Sequence, residues 1–146
     1  MWTVYAAQDY ARADQLEEWI HAYLAVEPWA NPGLSQGLRL QRRWWRGPLL
    51  ADVDTLVRVC GPEPGMEYPQ ERQGWEQDIA RLQHSLGDPL LVPPLIVAYE
   101  HGTLSVRDGS HRLEAMRRLG WQRCWVLIWY NAEADFVYDA EREKEW

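Results

Sequence analysis

The sequence predicts an α/β (α+β) domain: a small mixed sheet flanked by helices, with an extra helix at the N-terminus. Leu95 to Glu100 and Thr103 to Arg107 are strand-like runs separated only by His101-Gly102, the spacing of a two-residue hairpin. Trp75, Ile79, Leu82 and Leu86 step by four, three and four, which places them on one face of a helix from about Gln70 to Leu86. Gly87, Asp88 and Pro89 end that helix. The stretch VRDGSHRLEAMRRLG, Val106 to Gly120, turns a strand into a helix. CWVLIWY, Cys124 to Tyr130, then returns as a strand apolar enough to lie inside a sheet.

A chain of 146 residues, 47% hydrophobic and 25% charged, can bury one core, so a single domain is expected. Within it, residues 1–46 read as an N-terminal helical extension, 47–130 as the core and 131–146 as an acidic C-terminal helix or tail. Ten tryptophans and seven tyrosines point to a core or groove built from large rings. The net charge of −7 disfavours non-specific DNA binding, whose affinity comes from phosphate neutralisation. Cys60 and Cys124 form no C-x-x-C pair, which speaks against a disulfide framework or a cysteine zinc site. With no signal-like start and no stretch near about 18 apolar residues, the expected location is the cytoplasm, with no membrane partner.

In chain order, Met1 to Ala7 reads as a short strand or an extended arm. From Asp9, a plausible N-cap, to Val26 the spacing is helical, with Leu16, Trp19, Ile20, Tyr23 and Leu24 facing a core and His21 at the surface. Glu27 to Gly33 is a turn-rich connection, and Leu34 to Trp45 a short helix or irregular segment. Arg39, Arg42, Arg43 and Arg46 with Trp44 and Trp45 form the densest basic and aromatic cluster. Such a cluster can stack and neutralise a nucleic acid, or it can be a solvated face whose arginines pair with acids and whose tryptophans enter the core. PLLADV, Pro48 to Val53, reads as a short strand, and DTLVRV, Asp54 to Val59, as a turn or helix, with Cys60 a small buried residue. Pro62 to Tyr68 is a loop; Glu67 within it and Glu71 beyond it are candidate partners for Mg²⁺ or a substrate hydroxyl. Asn131 to Trp146 is a helix packing through Phe136, Val137 and Trp146, or a frayed end.

The chemistry concentrates at Asp108 to Arg112. Ser110 is a good N-cap, which leaves the N–H groups around His111, Arg112 and Leu113 pointing outward at the positive end of the helix. Gly109 lets an oxygen approach the backbone, and the side chains of His111 and Arg112 add donors, so a phosphate-like anion fits. Asp108 emerges at a strand end, where it could hold a metal or orient a nucleophile, and His111 is a candidate proton donor. The plainer reading is a capped helix with Asp108 and Arg112 as a solvated pair. Beyond the loop, Leu113, Met116 and Leu119 form the buried stripe, Glu114 pairs with Arg117 or Arg118, and Gly120 closes the helix.

From about Trp75 to Tyr130 the sequence resembles the ParB/sulfiredoxin-like superfamily, in its helix, Pro-rich entry, strand pair and Gly-x-His-Arg loop. The likeness to sulfiredoxins is closest at VPPLIV and GSHRLEA; there the family carries a Gly-Cys-His-Arg motif that holds ATP phosphates. By that resemblance Gly109, His111 and Arg112 would hold phosphate. Ser110 stands in place of the catalytic cysteine, which removes sulfinic acid reduction. Asp78 to Ser85 contains no lysine, where sulfiredoxins turn one towards the nucleotide. The resemblance implies a nucleotide such as ATP or CTP as ligand, with Mg²⁺-dependent phosphoryl transfer or nucleotide hydrolysis. The alternatives are a DNA-associated ParB-like regulator or nuclease-like module, and a non-catalytic interaction domain. No helix-turn-helix or long basic segment follows the core, as ParB-type partition proteins usually require.

Overall fold

Continuous apolar runs become strands covered on both faces. In the computed structural model, which describes residues 1–143, five strands form one mixed sheet: β1 (Trp44–Asp52), β2 (Leu56–Arg58), β5 (Leu95–Glu100), β6 (Thr103–Asp108) and β7 (Arg123–Tyr130), in the spatial order β1-β7-β5-β6-β2. β3 (Cys60–Gly61) and β4 (Tyr68–Pro69) make a separate two-stranded sheet. β1 is antiparallel to β7 and β5 antiparallel to β6, while β5 and β7, and β2 and β6, run parallel. The turn at His101-Gly102 has φ of 52° and 82°, the positive values a two-residue hairpin needs.

Alternation divides the strands between two cores. Leu95, Val97, Val106, Val126, Ile128 and Tyr130 face Leu113 and Met116 of α5 (Ser110–Arg118), with Phe136 of α6 (Glu133–Glu143) packed beside them. Ile96, Ala98, Leu127 and Trp129 face the N-terminal helices. α4 (Arg72–Ser85) lies on α5 through Trp75, Ile79 and Ala115.

The N-terminal layer departs from the expected pattern. Met1 to Ala7 is neither strand nor arm: α1 (Val4–Arg12) starts there because Thr3 caps it, its Oγ1 accepting from the Ala6 N–H at 3.1 Å. Asp9 therefore lies inside a helix and is not an N-cap. Asp14 takes a left-handed φ of 58°, which breaks the expected single helix before α2 (Leu16–Tyr23). Leu16, Trp19, Ile20, Tyr23 and Leu24 are buried as expected. α3 (Pro32–Leu38) follows, capped by Asn31 with Pro32 at its first position.

Elsewhere, β1 begins at Trp44, since Trp44 to Arg46 pair with Ile128 to Tyr130. Leu56 to Arg58 is a strand, not a turn or helix, because it pairs with Leu104 to Val106. Leu119 is 41% exposed and leaves the stripe of α5, which is completed by Ala115 and by Arg112. Val137 is 43% exposed, so α6 packs through Phe136 without it, and Trp146 lies outside the described residues. No helix among the described residues is long and apolar enough to cross a membrane.

Candidate anion site at the start of α5

The chain leaves β6 through Asp108 and reverses at Gly109, whose φ of 106° and ψ of 22° are left-handed. A Cβ there would stand 2.4 Å from Leu95 Cδ2 and 3.0 Å from Arg112 Nη2. Gly109 therefore takes the N-cap position expected of Ser110, which becomes the first helical residue and is 6% exposed. No side chain caps α5, and Leu113 N–H already donates to Gly109 O at 2.8 Å. The N–H groups left without an intrahelical acceptor belong to Ser110, His111 and Arg112, one residue earlier than expected.

Arg112 does not face this end. Its guanidinium, 4% exposed as a residue, donates to Pro93 O at 2.6 Å, Tyr23 Oη at 2.9 Å and Asp108 Oδ2 at 3.0 Å. Tyr23 O–H donates to the same Asp108 oxygen at 3.0 Å, and the guanidinium lies 5.2 Å from the centre of the Trp29 ring. Tyr23 is itself stacked on Trp19 at 5.2 Å and Trp29 at 5.8 Å. Burial, the largest cause, pushes the Tyr23 hydroxyl well above its ordinary range, as does the neighbouring Asp108. The Asp108–Arg112 pair is thus an internal strut, not a solvated pair or a free phosphate clamp. Arg112 and Tyr23 both donate to Asp108 Oδ2, and among the described residues no group of three or more His, Cys, Asp and Glu is placed to hold a metal.

His111 does face outward, with its ring centroid 4.5 Å from that of Trp75 and Nε2 3.7 Å from Asp78 Oδ2. Together with Asp78, Arg81, Leu82 and Ser85 of α4, it lines a shallow hollow of about 280 Å³. Arg81 is largely exposed and pairs with Asp78. Burial lowers the His111 pKa, Arg58 adds to the effect and Asp78 opposes it. Its imidazolium is therefore disfavoured in the fold: the contribution to stability is complete above the unfolded value of about 6.5 and declines as pH falls towards the folded pKa. An NMR titration should place the His111 midpoint below that of a free histidine, and His111→Gln should flatten the loss of stability under mild acid. A midpoint at or above about 6.5 would contradict this geometry.

The remaining candidate residues have other partners. Glu67 pairs with Arg107 at 2.9 Å. Glu71 caps α4, accepting from Gln73 N–H at 3.0 Å and Gly74 N–H at 2.6 Å, which lowers its pKa. Each arginine of the cluster has a local partner. Arg39 donates to Ser35 Oγ at 3.0 Å, Arg42 lies over the Trp44 ring at 4.8 Å, Arg43 donates to the Gly37 and Leu38 carbonyls, and Arg46 pairs with Asp139 at 3.1 Å. The cleft beside Arg39, Arg42 and Arg43 is also lined by Asp14, Glu17 and Glu18, which weaken its positive field. Arg81 and Ser85 share the hollow beside His111 through the helical spacing Asp78-Arg81-Ser85, which puts all three on one side of α4.

No protein-family model matches the chain, and no curated protein matches it. Among solved structures it is similar to the C-terminally truncated chromosome-partitioning protein ParB from Caulobacter crescentus complexed with CTP-γ-S, at 20% identity and a TM-score of 0.42 over 58% of this chain. That match spans 43% of the ParB chain. It is also similar to sulfiredoxin from Arabidopsis thaliana, at 22% identity and a TM-score of 0.43, over 62% of this chain and 96% of that one.

Proposed function

We propose that the chain binds a phosphate-bearing ligand, such as a nucleotide, at the start of α5. The supporting observation is the uncapped first turn, opened by a left-handed glycine, beside the side chains of His111 and Arg81. The N–H groups of Ser110, His111 and Arg112 would receive phosphate oxygens, and Arg81, exchanging its exposed pair with Asp78 for the phosphate, would supply the charge that Arg112, held inside, does not. The helix end contributes roughly 0.3–1 kcal/mol and a charged hydrogen bond about 1.5–3, so phosphate alone would bind near millimolar strength. With Asp108 engaged by Tyr23 and Arg112, the arrangement favours holding a phosphate over cleaving one.

The test is thermal unfolding with ATP, ADP, CTP, GTP or inorganic phosphate, with and without Mg²⁺. A ligand at about five times its Kd should raise Tm by roughly 2–4 °C. Arg81→Ala and His111→Gln, which leave the buried strut untouched, should each diminish that rise. No rise with any ligand, or an undiminished rise in both variants, would overturn the reading.

A further inference from the structure

The hollow beside the start of α5 already holds an anion of its own, the carboxylate of Asp78. Its two oxygens are divided: Oδ1 accepts from Arg81 Nη2, and Oδ2 stands 3.7 Å from His111 Nε2. Those are the two side chains that a bound phosphate would use. Asp78 and Arg81 are 42% and 74% exposed, so water screens their pair and it exchanges at small cost.

The charged groups around His111 are Asp78 and Arg81 on α4, Arg58 at the end of β2 and, one turn on in its own helix, Glu114. Arg58 is held by Glu63 at 2.5 Å and Glu114 at 3.5 Å, and lies over the Trp75 ring, so it does not depend on Asp78. Glu114 is further engaged by Arg117 and Arg118. Asp78 is thus the one carboxylate among them that faces His111 and is bound only by an exposed arginine. An anion seated on the N–H groups of Ser110, His111 and Arg112 would draw Arg81 away from it. Two negative groups, the anion and the released Asp78, would then face one imidazole, and their attraction favours the imidazolium that burial disfavours. The proton comes from solvent to an imidazole nitrogen, and no bond within the anion changes. Resting on the reading of the start of α5 as a phosphate site, we propose that Asp78 is a resident competitor for the anion, and that its displacement couples binding to the uptake of one proton by His111.

The experiment uses inorganic sulfate, which stays a dianion where histidine titrates, whereas phosphate itself takes up a proton there. The His111 ring signal of the full chain is titrated against pH with and without saturating sulfate, at matched ionic strength. Sulfate should raise its midpoint by roughly one pH unit, the effect of a close opposite charge. By linkage, the sulfate affinity read at the Ser110, His111 and Arg112 amides should weaken up to about tenfold between about pH 6 and 8. In His111→Gln that variation should vanish. Asp78→Asn, which releases Arg81 beforehand, should bind sulfate about two- to fivefold more tightly near the upper end of that range. Saturation of the three amides with an unmoved His111 midpoint, a pH dependence that survives in His111→Gln, or no tighter binding in Asp78→Asn would overturn the coupling and leave the phosphate site standing. Amides that never shift, with sulfate or with phosphate, would remove both.

Discussion

Arg112→Ala is expected to lower stability by about 3–5 kcal/mol, the cost of leaving one half of a buried ion pair without its partner. The side chains of Arg112 and Asp108 are 5% and 15% exposed, and Tyr23 donates to the same carboxylate oxygen. Removing the guanidinium takes away three hydrogen bonds at once, to Pro93, Tyr23 and Asp108, and empties the space beneath Trp29. Urea unfolding should show the loss, with a fall in Tm of roughly 10 °C. Arg112→Lys should recover only part of it, since an ammonium cannot reproduce the planar fork. Combining Arg112→Ala with Asp108→Asn should cost less than the sum of the two single changes, because the second removes the stranded charge. A loss below about 1 kcal/mol for Arg112→Ala would mean that the guanidinium is solvated, and that the strut does not exist.

Gly109→Ala is the second large effect. The backbone at φ 106° costs an L-residue roughly 1–3 kcal/mol. The new methyl would also stand 2.4 Å from Leu95 Cδ2, a fully buried side chain in the strand at the centre of the sheet. Overpacking of that kind adds about 1–3 kcal/mol, so a total of roughly 2–6 kcal/mol is expected from denaturant unfolding. Relaxation would have to move the loop, so phosphate binding should weaken as well. Gly37→Ala is the contrasting control: its added Cβ meets nothing and sits in a helix, where alanine is preferred, so stability should hold or rise. Equal effects at the two glycines would show that neither φ nor contact decides the matter.

β5, β6, β7 and the α4–α5 pair were legible in the sequence because their signals are local: the two-residue hairpin at His101-Gly102, the four-three-four spacing from Trp75, and the apolar run from Cys124. β2 was not, since Leu56 to Arg58 is a strand only by virtue of pairing with Leu104 to Val106, far along the chain. The start of α1 was missed because its signal is a single cap, Thr3. At the site, Gly109 and His111 could be placed from the motif, but the direction of Arg112 could not. That direction is set by Tyr23, 89 residues away, and by the ring of Trp29, neither of which the loop sequence mentions. Arg81 has no signal in the loop motif itself; only its place on α4 beside His111 brings it to the hollow.

The most direct test of the α5 site is an amide NMR titration of the full chain with inorganic phosphate and then ATP and CTP. The N–H signals of Ser110, His111 and Arg112 should shift together and saturate, with the Arg81 side chain following and the Arg112 guanidinium signal still. Saturating shifts that leave those three amides unmoved, or the absence of any shift at tens of millimolar phosphate, would reduce the start of α5 to a helix terminus and remove the phosphate site.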